Sequence, residues 1–268
     1  MKKILTAFYP SVTPIHVINL AIQFATQNSA VIQAVYLAEG KEPVNSNYPF
    51  PNDLSIAEDF RGTENISQEN QKLIEDNIKA FKKECELNGI TFSIEKNMTM
   101  EQLIDKTVNS DLLLIDSESN LIERVLTKIH CPAFITSAVE VLQKVTLMYD
   151  NSVSSKIAIE TFISLFPEFA NLPTYLFSIN PNKEDELEMQ QYFKEKLQPC
   201  FSNLMFLIVN GNKKNELKKI LDQSSAPNLL VMGAFGRSAI SDFFHASFAS
   251  TALKDKNICL FIAHDDKS

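Results

Sequence analysis

Two periods of apolar residues alternate along this chain. "KKILTAF" (2–8) is a short strand-like run, and "PIHVINLAIQFATQ" (14–27) spaces its apolar residues as one face of a helix. "AVIQAVYLA" (30–38) predicts a second strand. Lys41 to about Asn65 is polar and holds Pro43, Pro49, Pro51 and Gly62, which predicts a loop. A charged amphipathic helix follows at 67–89, stopped by Gly89. The rest of this half predicts a strand at "ITFSIEKN", a helix at "TMEQLIDKTVNS", a strand at "DLLLID", a helix at "NLIERVLTKIH" and a strand at "CPAFITS".

The second half restarts in step. "KVTLMYD", "PTYLFSIN", "LMFLIVNG", "NLLVMG" and "ICLFIAHD" predict strands. "SVSSKIAIETFISLF", "KEDELEMQQYFKEKL", "NELKKILDQS" and "FASTALKD" predict the intervening helices. Short apolar strands separated by helices are the pattern of a parallel sheet covered on both faces. The fold class expected is therefore α/β: two tandem doubly wound, Rossmann-like domains, each a five-stranded, mainly parallel sheet flanked by helices. The junction near Ala138–Gln143 divides the chain into 1–141 and 142–268. One continuous Rossmann domain would alternate too, but would not restart.

Composition narrows the function. A chain of 268 residues, 45% hydrophobic and 22% charged, is globular in character. A net charge of -8 weighs against nucleic acid or an anionic membrane as the main partner, while leaving room for a small anion in a local pocket. Cys85, Cys131, Cys200 and Cys259 are scattered without a C-x-x-C pair, so neither structural zinc nor a disulfide framework is expected. The N-terminal apolar run is too short for a signal segment, and nothing approaches the roughly 18 apolar residues of a membrane helix. A cytoplasmic location is expected.

The chain has six glycines, yet Gly233 and Gly236 stand three apart, directly after the apolar "NLLVM". In an open parallel sheet, ligands bind beyond the carboxyl ends of the strands. Glycines there admit an anion close to backbone N–H groups, and a following helix adds unpaired N–H groups and a positive dipole end. Ser247 and Ser250 offer hydroxyls and Arg237 a counter-charge. The plainer reading is that the two glycines only shape a turn.

Gly233-x-x-Gly236, nine residues, then Ala246-Ser247, resembles the universal stress protein family, whose motif is G-x-x-G, nine residues, then Gly and Ser/Thr. The family's opening strand ends in Asp-x-Ser, and "YDNS" has Asp150 and Ser152 in those places. "CLFIAHD" and, by its Cys131-Pro132, "HCPAFITS" are similar to its last strand. The resemblance spans nearly the whole chain as two tandem copies. It implies a stress-response regulatory protein whose ligand is ATP or a related adenine nucleotide, with magnesium accompanying it. Carried over by position, Asp150 lies near the adenosine, Met148 lines the base pocket and the Ser178 backbone meets the adenine edge. Gly233, Gly236, Ser247 and Phe248 face the phosphates, with Arg237 alongside. Ala246 departs from the motif: a positive φ there would cost an alanine about 1–2 kcal/mol. The resemblance also implies that the last strands pair, here within one chain, and homodimerisation of the whole chain stays open.

The first half carries "LLLIDSESN" where the second has its glycines. Alignment sets Asp116 against Gly233, Ser119 against Gly236, and Tyr9-Pro10-Ser11 against Asp150-Asn151-Ser152, with Glu118 in the loop. A carboxylate about 5 Å from a phosphate costs roughly 3 kcal/mol at an effective dielectric near 20. The first half is therefore expected to be a silent partner of the second. No catalytic residue is expected. The Walker pattern and an H-x-G-H signature are both missing, and Asp150, Ser247 and His245 lack a nucleophile elbow. The alternative is a structural or interaction protein of the same family that binds no nucleotide.

Overall fold

The computed structural model describes residues 1–9, 13–38, 59–117, 122–126, 128–137, 141–212, 215, 216, 219, 226–233 and 258–263, with 59–71, 123 and 124 described by backbone alone. Ten strands form one sheet: β1 (Lys3–Phe8), β2 (Val31–Leu37), β3 (Phe92–Met98), β4 (Leu112–Asp116), β5 (Ala133–Thr136), β6 (Lys144–Met148), β7 (Thr174–Ile179), β8 (Leu204–Val209), β9 (Asn228–Gly233) and β10 (Ile258–Ala263). Their spatial order is β3-β2-β1-β4-β5-β10-β9-β6-β7-β8. Every neighbouring pair is parallel except β5 with β10, which run antiparallel with Phe134 opposite Phe261. Each half thus has the doubly wound order, and the second half mirrors the first across the β5–β10 seam.

Among the described residues the helices include α1 (Ile15–Asn28), α2 (Asp59–Leu87), α3 (Met100–Thr107), α4 (Ile122–Leu126), α5 (Val153–Leu165) and α6 (Lys183–Tyr192). A 3-10 turn at Pro167–Asn171 and a π turn at Phe193–Leu197 extend α5 and α6. One expectation is corrected. The loop expected over Lys41–Asn65 ends early, because α2 already runs from Asp59. A polar helical stretch shows no periodicity, so periodicity found only the later turns, where Ile78, Phe81 and Cys85 are buried. The rest of that expected loop, the helix at "FASTALKD" and most of "NELKKILDQS" lie outside the described residues.

Reciprocal capping boxes set two of the helix starts. Thr99 accepts from the Gln102 N–H while the Gln102 side chain accepts from the Thr99 N–H, a reciprocal box that opens α3. Asn182 and Asp185 do the same for α6.

Burial on both faces of the sheet explains why the central strands read as unbroken apolar runs. β9 and β10 are buried at every position. One core lies beneath α1, α2, α5 and α6 and runs without a break from Ile4 in the first half to Phe261 in the second. Over the seam it condenses into phenylalanines: Phe24 and Phe166 have centroids 4.5 Å apart, and Phe134 and Phe261 lie 5.5 and 5.7 Å from Phe166. The other face carries a second core, including Leu5, Leu103, Val125, Leu230 and Met232.

Candidate functional site

Strand order reverses between β1 and β4 in the first half, and between β6 and β9 in the second. These two places, at the carboxyl ends of the strands, are where an open α/β sheet forms its crevice. In the second half, Met148 is paired with Phe177, and Leu147 with Val231. Continuing both registers sets Ser178, Tyr149 and Gly233 in one row across β7, β6 and β9. The expected residues Met148, Asp150, Ser178 and Gly233 therefore reach the same end of three adjacent strands. Gly236, Arg237, Ala246, Ser247 and Phe248 lie outside the described residues.

Each of the four has a defined setting. Met148 is half-buried against the second core. The Ser178 side chain is buried, and its backbone is paired in register with Ile208 of β8. Asp150 is exposed, and its Oδ1 accepts from the Ser152 N–H at 3.1 Å and the Ser152 hydroxyl at 2.6 Å. Ser152 is the N-cap of α5, its Oγ accepting from the Ser155 N–H at 3.1 Å. Asp150 thereby fixes the entry to α5 through a turn in which Asn151 has φ 63°. Gly233 meets the first turn of α5 so closely that a Cβ there would stand 2.5 Å from the Ser154 carbonyl carbon and 2.6 Å from its oxygen. Only a residue without a side chain allows that approach.

Tyr149, which the motif reading passed over, anchors the row. It is buried, stacks on Tyr192 with centroids 5.4 Å apart, and donates its hydroxyl to Asn151 Oδ1 at 3.0 Å. The Asn151 amide reaches on to Asp185 in the first turn of α6 at 3.3 Å. Burial, reinforced by the nearby charges of Glu188, Asp185 and Asp150, pushes the Tyr149 phenol up to about 12, so it stays a neutral donor.

The first half fills the equivalent row. Tyr36 is the register partner of Phe8, and their rings lie 5.3 Å apart. Thr6 pairs with Leu114, which brings Asp116 level with Phe8. Asp116 Oδ1 lies 3.2 Å from His16 Nε2, with both side chains part-buried. Counting from the helix starts, His16 of α1 stands where Ser154 stands in α5. Where the second half places a serine, a glycine and a serine, the first places a tyrosine, an aspartate and a histidine. His16 was also missed by sequence, and aligning the two halves by their helix starts would have found it. Glu118 and Ser119 lie outside the described residues.

Among the described residues, no group of three His, Cys, Asp or Glu side chains could hold a metal ion. None of their helices is long and apolar enough to cross a membrane.

No family model matches the chain, and no curated protein matches its sequence. Solved structures do match its fold. A universal stress protein from Archaeoglobus fulgidus DSM 4304 aligns at a TM-score of 0.61 and 12% identity, over 97% of this chain and 96% of that one. The fold is that of universal stress proteins. A putative universal stress protein from Pseudomonas aeruginosa UCBPP-PA14 aligns at a TM-score of 0.58 and 12% identity, covering 99% of this chain and 94% of that one. A functionally unknown protein from Pseudomonas aeruginosa PAO1 aligns at a TM-score of 0.55 and 11% identity, covering 99% of this chain and 93% of that one.

Proposed function

We propose that this chain is a stress-response regulatory protein that binds ATP or a related adenine nucleotide at the crevice of its second half (142–268), with the first half (1–141) as a silent partner. The observation that carries this reading is the contrast at the two strand-order reversals. Gly233 admits the first turn of α5 without a Cβ between them, whereas Asp116 and His16 put ionisable side chains in the same place in the first half. The small Ser178, in the same row on the neighbouring strand, fits a ligand lying over this end of the sheet. A nucleotide would lie with its base toward Met148 and Ser178, its ribose toward Asp150, and its phosphates toward Gly233, Gly236, Arg237, Ser247 and Phe248. Magnesium would accompany the phosphates. In this reading the protein is cytoplasmic, and hydrolysis is slow or absent, because the sequence carries no Walker lysine and no candidate general base.

The second reading, an interaction protein that binds no nucleotide, also has an observation in its favour. Contact with Ser154 by itself requires glycine at 233, with no ligand involved. One experiment separates the two. Mg-ATP at a hundredfold excess over its dissociation constant adds about 2.7 kcal/mol of stability to a protein that binds it. The expected result is a rise in Tm with Mg-ATP that is sharply reduced in Ser247→Ala, while the Tm without nucleotide is unchanged. No rise in the unsubstituted protein, together with no nucleotide released on denaturing it, selects the second reading.

A further inference from the structure

The two edges of the ten-stranded sheet differ in kind. β3, "FSIEKNM", is a guarded edge. It presents Glu95 and Lys96, has Asn97 at φ 56°, and faces a register shift between Val35 and Leu37 on β2. Charges and irregularities of this sort stop another strand from adding on. β8, "LMFLIV", has no charge and no proline. Met205, Phe206, Leu207 and Ile208 are exposed by 40%, 40%, 40% and 41%. Four consecutive residues alternate between the two faces of a strand, so both faces of this edge show apolar surface.

The free hydrogen-bonding groups follow from the ladder to β7. Asn203 and Val209 turn their carbonyls to β7, accepting from Thr174 at 2.8 Å and Asn180 at 2.9 Å. Backbone groups alternate sides along a strand, so those of Leu204, Phe206 and Ile208 point away from β7, to the outside of the sheet. We propose that β8 is a dimerisation edge, where two copies of this chain pair antiparallel about a twofold axis through Phe206. This goes beyond the nucleotide reading and does not rest on it.

A second copy fits this edge for three reasons. A twofold axis normal to the sheet brings Phe206 opposite its own mate and Leu204 opposite Ile208, which aligns all the outward groups as hydrogen-bonded pairs. Met205 then lies opposite Leu207, so every facing pair is apolar, and no charge is left unpaired. A register shifted by two residues would set Leu204 opposite Asn210, beyond the strand, and lose that match. Pairing shields part of the exposed surface of these four side chains from water. With a six-residue ladder this forms the apolar centre of an interface whose usual size is about 800 Å² per partner. Phe193, stacked on Phe206 at 4.1 Å, extends that centre along one face.

Sedimentation of the full chain over micromolar concentrations tests this. The expected result is a concentration-dependent dimer, with Phe206→Lys raising the dissociation constant at least tenfold and Ser93→Lys on β3 leaving it unchanged. Cross-linking keeps the test open if the lysine variant fails to fold. In a Cys200→Ser background, Phe206→Cys should form an intermolecular disulfide, because Cα atoms in a hydrogen-bonded antiparallel pair lie about 5.5 Å apart. Ile208→Cys should not, since its mate is displaced by about 13 Å along the strands. A monomer at every concentration, a dimer that Phe206→Lys leaves intact, or cross-linking through Ile208→Cys in place of Phe206→Cys would each overturn the proposal.

Discussion

Gly233 shows how one residue answers to two neighbours. Its place at the end of an apolar strand and ahead of a second glycine is visible in sequence. Its contact with Ser154, nearly 80 positions earlier in the chain, is not. Gly233→Ala is expected to cost about 1–3 kcal/mol without any ligand, because the methyl group meets backbone and not a yielding side chain. Urea unfolding of the ligand-free protein measures this. A cost near zero would mean that α5 can move away from β9. The same reasoning applies to Asp116. Sequence marked it as a carboxylate in the wrong place for a phosphate, but its neighbour His16 lies a hundred positions away on another element. Pairs of this kind are set by which helix packs over which strand end, and local pattern carries no trace of that.

Elements were the most legible level. All ten described strands are marked in the sequence: the central ones as apolar runs, because burial on both faces leaves little room for polar residues, and β3 by alternation. The polar first turns of α2 were not legible, for the converse reason: a solvated helix has no apolar face to repeat. Caps add definition that periodicity lacks. Thr99 and Gln102 satisfy each other's backbone at the start of α3, which is only eight residues long and cannot persist by propensity alone. Thr99→Ala is expected to lower stability by about 1 kcal/mol, read as a shift of the urea midpoint at constant slope. The 3-10 turn at Pro167–Asn171 had no sequence signal beyond its proline, yet it carries Phe169 to the seam.

At the scale of the molecule, the two halves share one sheet and one continuous core on the α1/α5 face. Phe166 belongs to the second half by position, but packs on Phe24 and Phe134 of the first. Phe166→Ala is expected to destabilise the whole chain by about 3–5 kcal/mol, with fluorescence and circular dichroism still reporting one transition. Separate transitions for the two halves would show that the seam does not couple them. The order of the described strands and helices was determined by the sequence alone, because most of these elements record their burial in their own residues. So was the contrast between a glycine-bearing half and an acidic one. Tertiary structure decided the antiparallel seam, the contact that requires glycine at 233, the His16–Asp116 pair and the difference between the guarded and open edges. Those depend on which surfaces meet, and a surface is assembled from residues far apart in the chain.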